Sequence, residues 1–296
     1  MKIDDYRLLV ALADEETLRK AADTLYISQP AVSQRLKSIE TEWGTEIFIR
    51  TKKKLIVTTN GEMIIQHARK MLKEETNLKE MIHSSDGVVN GKLSIGVSSL
   101  IGHTILPIVL GRFVERYPNV KIQLQVGSST RITNNRHDFH VSVIRGSKIM
   151  NLHNELLMSE KHYFIYPKNK AHELDQLPMI EFQADPIYLK EIEHWYTEQF
   201  NKEYAPQIKT DQISTCKSLL LNGVGMTVLP EIVMKDIDND QFEIQLLEVA
   251  NNPLLRETYL CYETDMLSLP QVSAYIELMK EVTAEYLDIK KYVPII

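Results

Sequence analysis

The 296-residue chain carries only two cysteines, Cys216 and Cys261, with no paired spacing, so neither a disulfide framework nor a cysteine zinc site is expected. No apolar run approaches the ~20 residues that a bilayer-spanning helix needs. The opening stretch "MKIDDYRLLVALADEETLRKAAD" holds Asp4, Asp5, Asp14, Glu15 and Glu16 where a secretory signal would tolerate none of them. These absences predict a cytoplasmic protein without a membrane partner. A glycine is missing where hydrolytic chemistry would require one. "GVSSL" (96–100) places a serine at a strand-to-helix turn, but Leu100 stands at the last position of Gly-x-Ser-x-Gly, so the tight nucleophile turn is not supplied. "RHDFH" (136–140) offers His137, Asp138 and His140. On a strand the two histidines would face opposite ways, and no third stands nearby. They are expected as loop residues, and neither an enzyme nor a resident metal or cofactor is expected.

Basic charge is not in excess either. The net charge is −6, which taken alone argues against a nucleic-acid partner. Its distribution changes the picture. Residues 1–91 hold fourteen Lys/Arg and fourteen Asp/Glu, so the whole deficit lies after Gly91. Within 35–54, Arg35, Lys37, Arg50, Lys52, Lys53 and Lys54 outnumber Glu40, Glu42 and Glu46. An acidic body with a locally basic segment near one end fits a DNA-binding head joined to another kind of domain.

That head has a recognisable pattern. Helices are predicted over 3–13 (Tyr6, Leu8, Leu9 and Leu12 inward) and over 18–25, where Ala21 and Ala22 permit close approach. In "ISQPAVSQRLKSIE" (27–40), Val32, Leu36 and Ile39 stack on one helix face, with Ser28 as cap and Pro30 in the first turn. Gln29, Ser33, Gln34 and Lys37 fall on the other side. A face of amides and hydroxyls, rather than the Glu/Lys mixture of a solvated helix, suits base edges in a major groove. "IFIR" and "LIVT" then read as a hairpin whose tip, with Arg50, Lys52, Lys53 and Lys54, can meet phosphates or the minor groove.

"TNGE" (59–62) fits a capping box with Thr59 as cap. The helix that follows, to about residue 84, carries Ile64, Ala68, Met71, Leu78 and Met81 or Ile82 at three- and four-residue steps, with Glu75 interrupting. A stripe this narrow on a rod of about 36 Å suits pairing with a second helix. It predicts a homodimer or homotetramer, joined to the body through a flexible 84–92.

The run "AADTLYISQPAVSQRLKSIE" (21–40), the wing, "TTNGE" and the long helix resemble the amino-terminal region of LysR-type transcriptional regulators. The resemblance continues through 91–127 and "LLLNGVGMTVLP" (219–230). One departure is visible after Gly127, where the segment is shorter than usual and has His140-Val141-Ser142-Val143 in place of the usual Leu-Asp-Leu-Ala. The resemblance implies double-stranded promoter DNA as partner and a small-molecule effector. The expected fold is α/β: a winged helix-turn-helix (1–58), a linker and dimerisation helix (59–86), and a two-lobed, periplasmic-binding-protein-like effector domain (92–296). Lobe I is expected over 92–161 and 264–296, lobe II over 162–263.

The body supports this by its own pattern. "LSIGV", a helix over 104–117, "VKIQLQV" and "HVSVI" alternate as in a doubly wound sheet. "HYFIYP", "MIEF", a helix over 187–200, "APQIKT", a helix over 213–222, "GMTVLP" and "EIQLLEV" repeat the alternation, before "ETYLCYE" and a last helix over 270–287. Ligands of such sheets sit at the carboxyl ends of strands. That rule selects Ser98 and Ser99 with Leu100 beside them, Ser128, Ser129 and Thr130, Arg145, Gln183, and Arg256 near the crossover. Serines opening a helix can hold an anion, and arginines grip carboxylates in bidentate fashion. A small carboxylate effector is expected, with citrate as the specific candidate, because a trianion needs more than one cationic clamp. A plain solute-binding protein would account for the body but leave the first 84 residues without a purpose.

Overall fold

Three apolar residues at helical spacing, Val32, Leu36 and Ile39, are fully buried and draw the third helix of the amino-terminal unit onto the first two. Burial of side chains this size stabilises by ~1.5–3 kcal/mol each. The computed structural model describes residues 1–51, 53–83 and 89–291, and the chain divides into two compact units, Met1–Val88 and Val89–Ile296.

In the first unit, α1 (Ile3–Glu15), α2 (Leu18–Thr24) and α3 (Gln29–Trp43) lead to a hairpin of β1 (Phe48–Arg50) and β2 (Leu55–Val57), then to α4 (Thr59–His83). β1 and β2 pair antiparallel from Phe48↔Val57 to Arg50↔Leu55. Ala21 and Ala22 are buried at the α2 contact. Asp5 is buried on α1 and receives the Arg35 guanidinium of α3, with Arg35 Nη2 to Asp5 Oδ2 at 2.7 Å. Burial works against the Asp5 carboxylate, yet hydrogen bonds from Arg35 and the Lys2 N–H hold it below the usual carboxylate range. Arg35, grouped by sequence with the basic wing, is therefore a clamp between α1 and α3.

Two expectations about α4 change. Its cap is Thr58 rather than Thr59: Thr58 Oγ1 accepts from the Gly61 N–H at 2.9 Å. Gly61 has to be glycine because a Cβ there would stand 2.2 Å from the Ile47 carbonyl oxygen. The apolar stripe also serves two purposes. Ile64, Ala68 and the unanticipated Ile65 are buried in the core of the head itself, with Leu8, Leu12 and Phe48, whereas Leu78 is 58% exposed. The seam positions Met81 and Ile82 have side chains outside the described set; Lys52 and the linker residues 84–88 lie outside the described residues.

The first strand of the second unit, β3 (Gly91–Ser98), starts one residue before the predicted boundary, so Gly91 and Lys92 are strand rather than flexible connection. A separate short helix, α5 (Ser99–His103), opens directly after β3, and the helix expected over 104–117 is α6 (Leu106–Arg116), with Pro107 in its first turn. β4 (Val120–Gly127), α7 (Ser129–Asn134) and β5 (Val141–Arg145) follow, so the shortened segment after Gly127 still forms a helical turn. His140 lies in the loop before β5, as expected, but is buried there, and its Nδ1 accepts from the Ser94 N–H at 3.2 Å.

β6 (His153–Pro167) links the lobes. β7 (Met179–Phe182), α8 (Pro186–Phe200), β8 (Ile208–Thr210), α9 (Ile213–Leu221), β9 (Met226–Pro230) and β10 (Phe242–Leu246) build lobe II. A small pair, β11 (Glu248–Val249) and β12 (Asn252–Pro253), precedes β13 (Leu255–Tyr262) and α10 (Pro270–Lys291). The strand order is β4-β3-β5-β13-β6-β9-β7-β8, with β10 on β6. Through Lys161 β6 pairs with β13; from His162 onward it pairs with β9 and β10. The return crossing lies near Leu254 rather than residue 264. β13 pairs with β5 from Thr258↔Arg145 to Tyr262↔Val141, and Leu260 is buried in the same core as Val97 and Val143, so its second half belongs to lobe I.

Candidate functional site

Two surfaces carry the candidate residues, one on each unit. On the head, Ser28 caps α3, its Oγ accepting from the Ala31 N–H at 3.4 Å. Gln29, Pro30, Gln34 and Lys37 are exposed and Ser33 is half-buried. Arg50 of β1 donates from Nη1 to Ser33 Oγ at 3.1 Å, bringing the wing strand onto the helix face. A hydroxyl that already accepts from Arg50 keeps its hydrogen for an acceptor such as a purine N7. At the wing tip Lys53 is exposed, while Lys54 Nζ lies 3.3 Å from Glu16, an exposed pair worth ~0–1 kcal/mol that a phosphate can replace.

Tyr26 escaped the sequence reading. It is 95% exposed in the turn before α3 and sits at φ +55, a left-handed position where glycine is usual. Alanine at both Ser33 and Gln34 is expected to weaken operator binding by ~1–3 kcal/mol per lost base contact and to leave random-duplex binding nearly unchanged. Gel-shift titrations on both duplexes at one salt concentration check this, and an equal loss on the two rejects base reading by these residues.

In the second unit, strand ends converge on a cleft of about 830 Å³. Ser98, Ser99, Leu100, Ser128, Ser129, Thr130, Arg145, Gln183 and Arg256 all line it. Ser98 closes β3 and Arg145 closes β5, so parallel strands deliver them to one edge. The structure divides their roles. Ser128 Oγ caps α7 through the Arg131 N–H at 3.2 Å, and Ser129 Oγ accepts from the Arg145 N–H at 3.0 Å.

Arg145 is less free than its strand-end position suggests. Its side chain is 4% exposed and its Nη2 donates to Glu160 Oε1 at 2.5 Å, with His162 Nε2 at 3.5 Å. Burial and the Arg145 and Arg256 charges hold His162 well below the usual imidazole range, so it is neutral. Arg256 donates from Nη2 to Asp185 Oδ2 at 2.5 Å and stacks over Tyr188, 4.3 Å from the ring centroid. Burial, then the neighbouring Arg145 charge, lowers its pKa. Ser98 Oγ, Arg145 Nε, Arg256 Nε and Nη1, and Thr258 Oγ1 are buried with no hydrogen-bond partner among the described residues. All can donate.

Glu160, His162 and Asp185 were missed by the sequence reading. For Asp185 a signal existed: an aspartate directly before Pro186 is a helix-start pattern, and its Oδ1 accepts from the Tyr188 N–H at 3.0 Å. Glu160 and His162 carry no local signal, being ordinary positions of a long strand.

Residues 3–62 match the bacterial regulatory helix-turn-helix protein model of the lysR family, and residues 86–284 match the LysR substrate binding domain. YkuM of Bacillus subtilis, an uncharacterized HTH-type transcriptional regulator, is 36% identical over 288 residues, which cover 95% of this chain and 97% of YkuM. A full-length OxyR variant from Pseudomonas aeruginosa shares the fold at TM-score 0.69 and 18% identity, over 96% of this chain and 94% of that one. Full-length LysG from Corynebacterium glutamicum, solved with bound effector Arg, does so at TM-score 0.68 and 19% identity, over 96% and 99%. The chain belongs to the LysR family: it is a DNA-binding transcriptional regulator, not an enzyme, with a winged helix-turn-helix head and an effector-binding domain.

Proposed function

We propose that the cleft of this regulator binds a small carboxylate and that the bound ligand changes how paired heads engage promoter DNA. The supporting observation is the set of buried, unpartnered donors on the cleft-lining Ser98, Arg145 and Arg256. A buried donor left without an acceptor costs ~1–3 kcal/mol, so three side chains in this condition at one cleft favour an anionic, oxygen-rich occupant. Citrate is the first compound to test. The overall run of residues resembles the citrate-responsive catabolite control protein E, which makes genes of central carbon metabolism the proposed targets. The internal Arg145–Glu160 pair removes one of the two clamps on which a trianion would depend, so di- and tricarboxylates of lower charge belong in the same test.

A homodimer or homotetramer in the cytoplasm completes the proposal. Leu78, exposed on the distal part of α4, is the seam residue available to a second copy. Calorimetric titration of citrate into the full-length protein and into Arg256→Ala checks the ligand: binding to the former and a loss of tenfold or more in the latter are expected. Equal affinity in both removes Arg256 from the site. A thermal-shift response to sugars or aromatic compounds, with none to carboxylates, overturns the ligand class and leaves the regulator intact.

A further inference from the structure

We propose that the Asp185 carboxylate is a resident competitor for the effector, occupying one face of the Arg256 guanidinium at the cleft and tying a two-pronged ligand grip on that face to the release of lobe II. This rests on the carboxylate reading above. A guanidinium offers two two-pronged faces, Nε with Nη2 and Nη1 with Nη2, each using its own Nη2 hydrogen. Asp185 Oδ2 lies 2.5 Å from that nitrogen, while Nε and Nη1 stay buried and unpartnered. A ligand carboxylate can therefore take the face that Asp185 holds only if Asp185 lets go, and on the other face it meets the repulsion of the Asp185 charge.

The surroundings make such an exchange feasible. Asp185 is 29% exposed and lines the cleft, whereas Arg256 is 7% exposed and fixed over Tyr188, so the carboxylate is the partner that can move. Its second oxygen, Oδ1, caps α8 through the Tyr188 N–H and has no need to leave. The pair also sits where the lobes meet. Asp185 begins α8 of lobe II, Arg256 lies on the returning strand β13, and Gly146 of lobe I presses against both. A Cβ on Gly146 would come within 3.1 Å of Asp185 Oδ2 and 3.5 Å of Arg256 Nη2. Swapping the internal carboxylate for a ligand's breaks one direct bond between α8 and the crossover. Ligand occupancy thereby reaches lobe II as a change in an ion pair.

The variant Asp185→Asn tests this, because asparagine caps helices as well as aspartate while removing the charge. Asp185→Ser, a second cap-preserving change, guards against a local defect of the amide. Citrate, malonate and sulfate are titrated into the full chain by calorimetry, and amide hydrogen exchange is followed across the first turn of α8. Both variants are expected to bind citrate roughly tenfold tighter than wild type, about 1.4 kcal/mol. Ligand should raise exchange in the α8 turn of wild type and do so far less in the variants. Wild-type binding with no gain, or a loss, in both variants overturns the competitor role alone. If none of the three probes binds any of the proteins, this inference and the carboxylate reading fall together.

Discussion

Replacing Glu160 with alanine is expected to destabilise the effector-binding domain by ~3–5 kcal/mol, the usual consequence of removing one partner from a buried ion pair. Glu160 is 3% exposed, its Oε1 holds Arg145 and its Oε2 accepts from the Ile232 N–H at 3.2 Å. Without it the Arg145 charge is buried with the Arg256 charge and the neutral His162 as neighbours. The Ile232 N–H also loses its acceptor. Urea unfolding followed by the fluorescence of Trp195, buried in lobe II, measures the change. Removing both charges with a well-packed Arg145→Met, Glu160→Leu pair should recover most of the loss, because two desolvation costs vanish together. A Glu160→Ala protein that unfolds within 1 kcal/mol of wild type would show that the pair does not hold this junction.

Gly61→Ala is expected to cost the head about 3 kcal/mol, at the upper end for inserting a methyl group where no space exists. The obstacle is the Ile47 carbonyl oxygen, 2.2 Å from the position of the new carbon. That carbonyl cannot swing aside freely, because it accepts the Thr58 N–H at 3.0 Å and thereby joins the entry of β1 to the start of α4. Relieving the clash shifts either the wing or the long helix, and Arg50 then loses its place against Ser33. Two readouts follow: a lower melting midpoint for the head and weaker operator binding. A variant that melts and binds like wild type would mean that the wing and α4 are not rigidly joined.

Much of the head was legible in the sequence because its signals are local. Ser28 and Pro30 mark where α3 starts, the spacing of Val32, Leu36 and Ile39 marks the face it buries, and neither depends on distant residues. The cap of α4 was misplaced by one residue because Thr58 and Thr59 are both competent, and only the approach of Ile47 to Gly61 chooses between them. The stripe of α4 reads in the sequence as a seam for a partner helix. Its first part fills the head's core instead, since a periodic pattern states which face is buried and not what covers it. In the body, the return crossing was set too late because both halves of β13 are strand-like, and only its register with β5 assigns the second half to lobe I.

From the sequence alone came the winged head, the alternating body and the strand ends at which candidate ligand-binding side chains had to lie. These are consequences of periodicity, capping and chain direction, which neighbouring residues determine among themselves. Tertiary structure alone decided which charges are already spent. Arg35 is held by Asp5, Arg145 by Glu160 and Arg256 by Asp185, partners 30, 15 and 71 residues away. An ion pair forms only where packing brings two side chains within about 4 Å, and no local pattern encodes that distance.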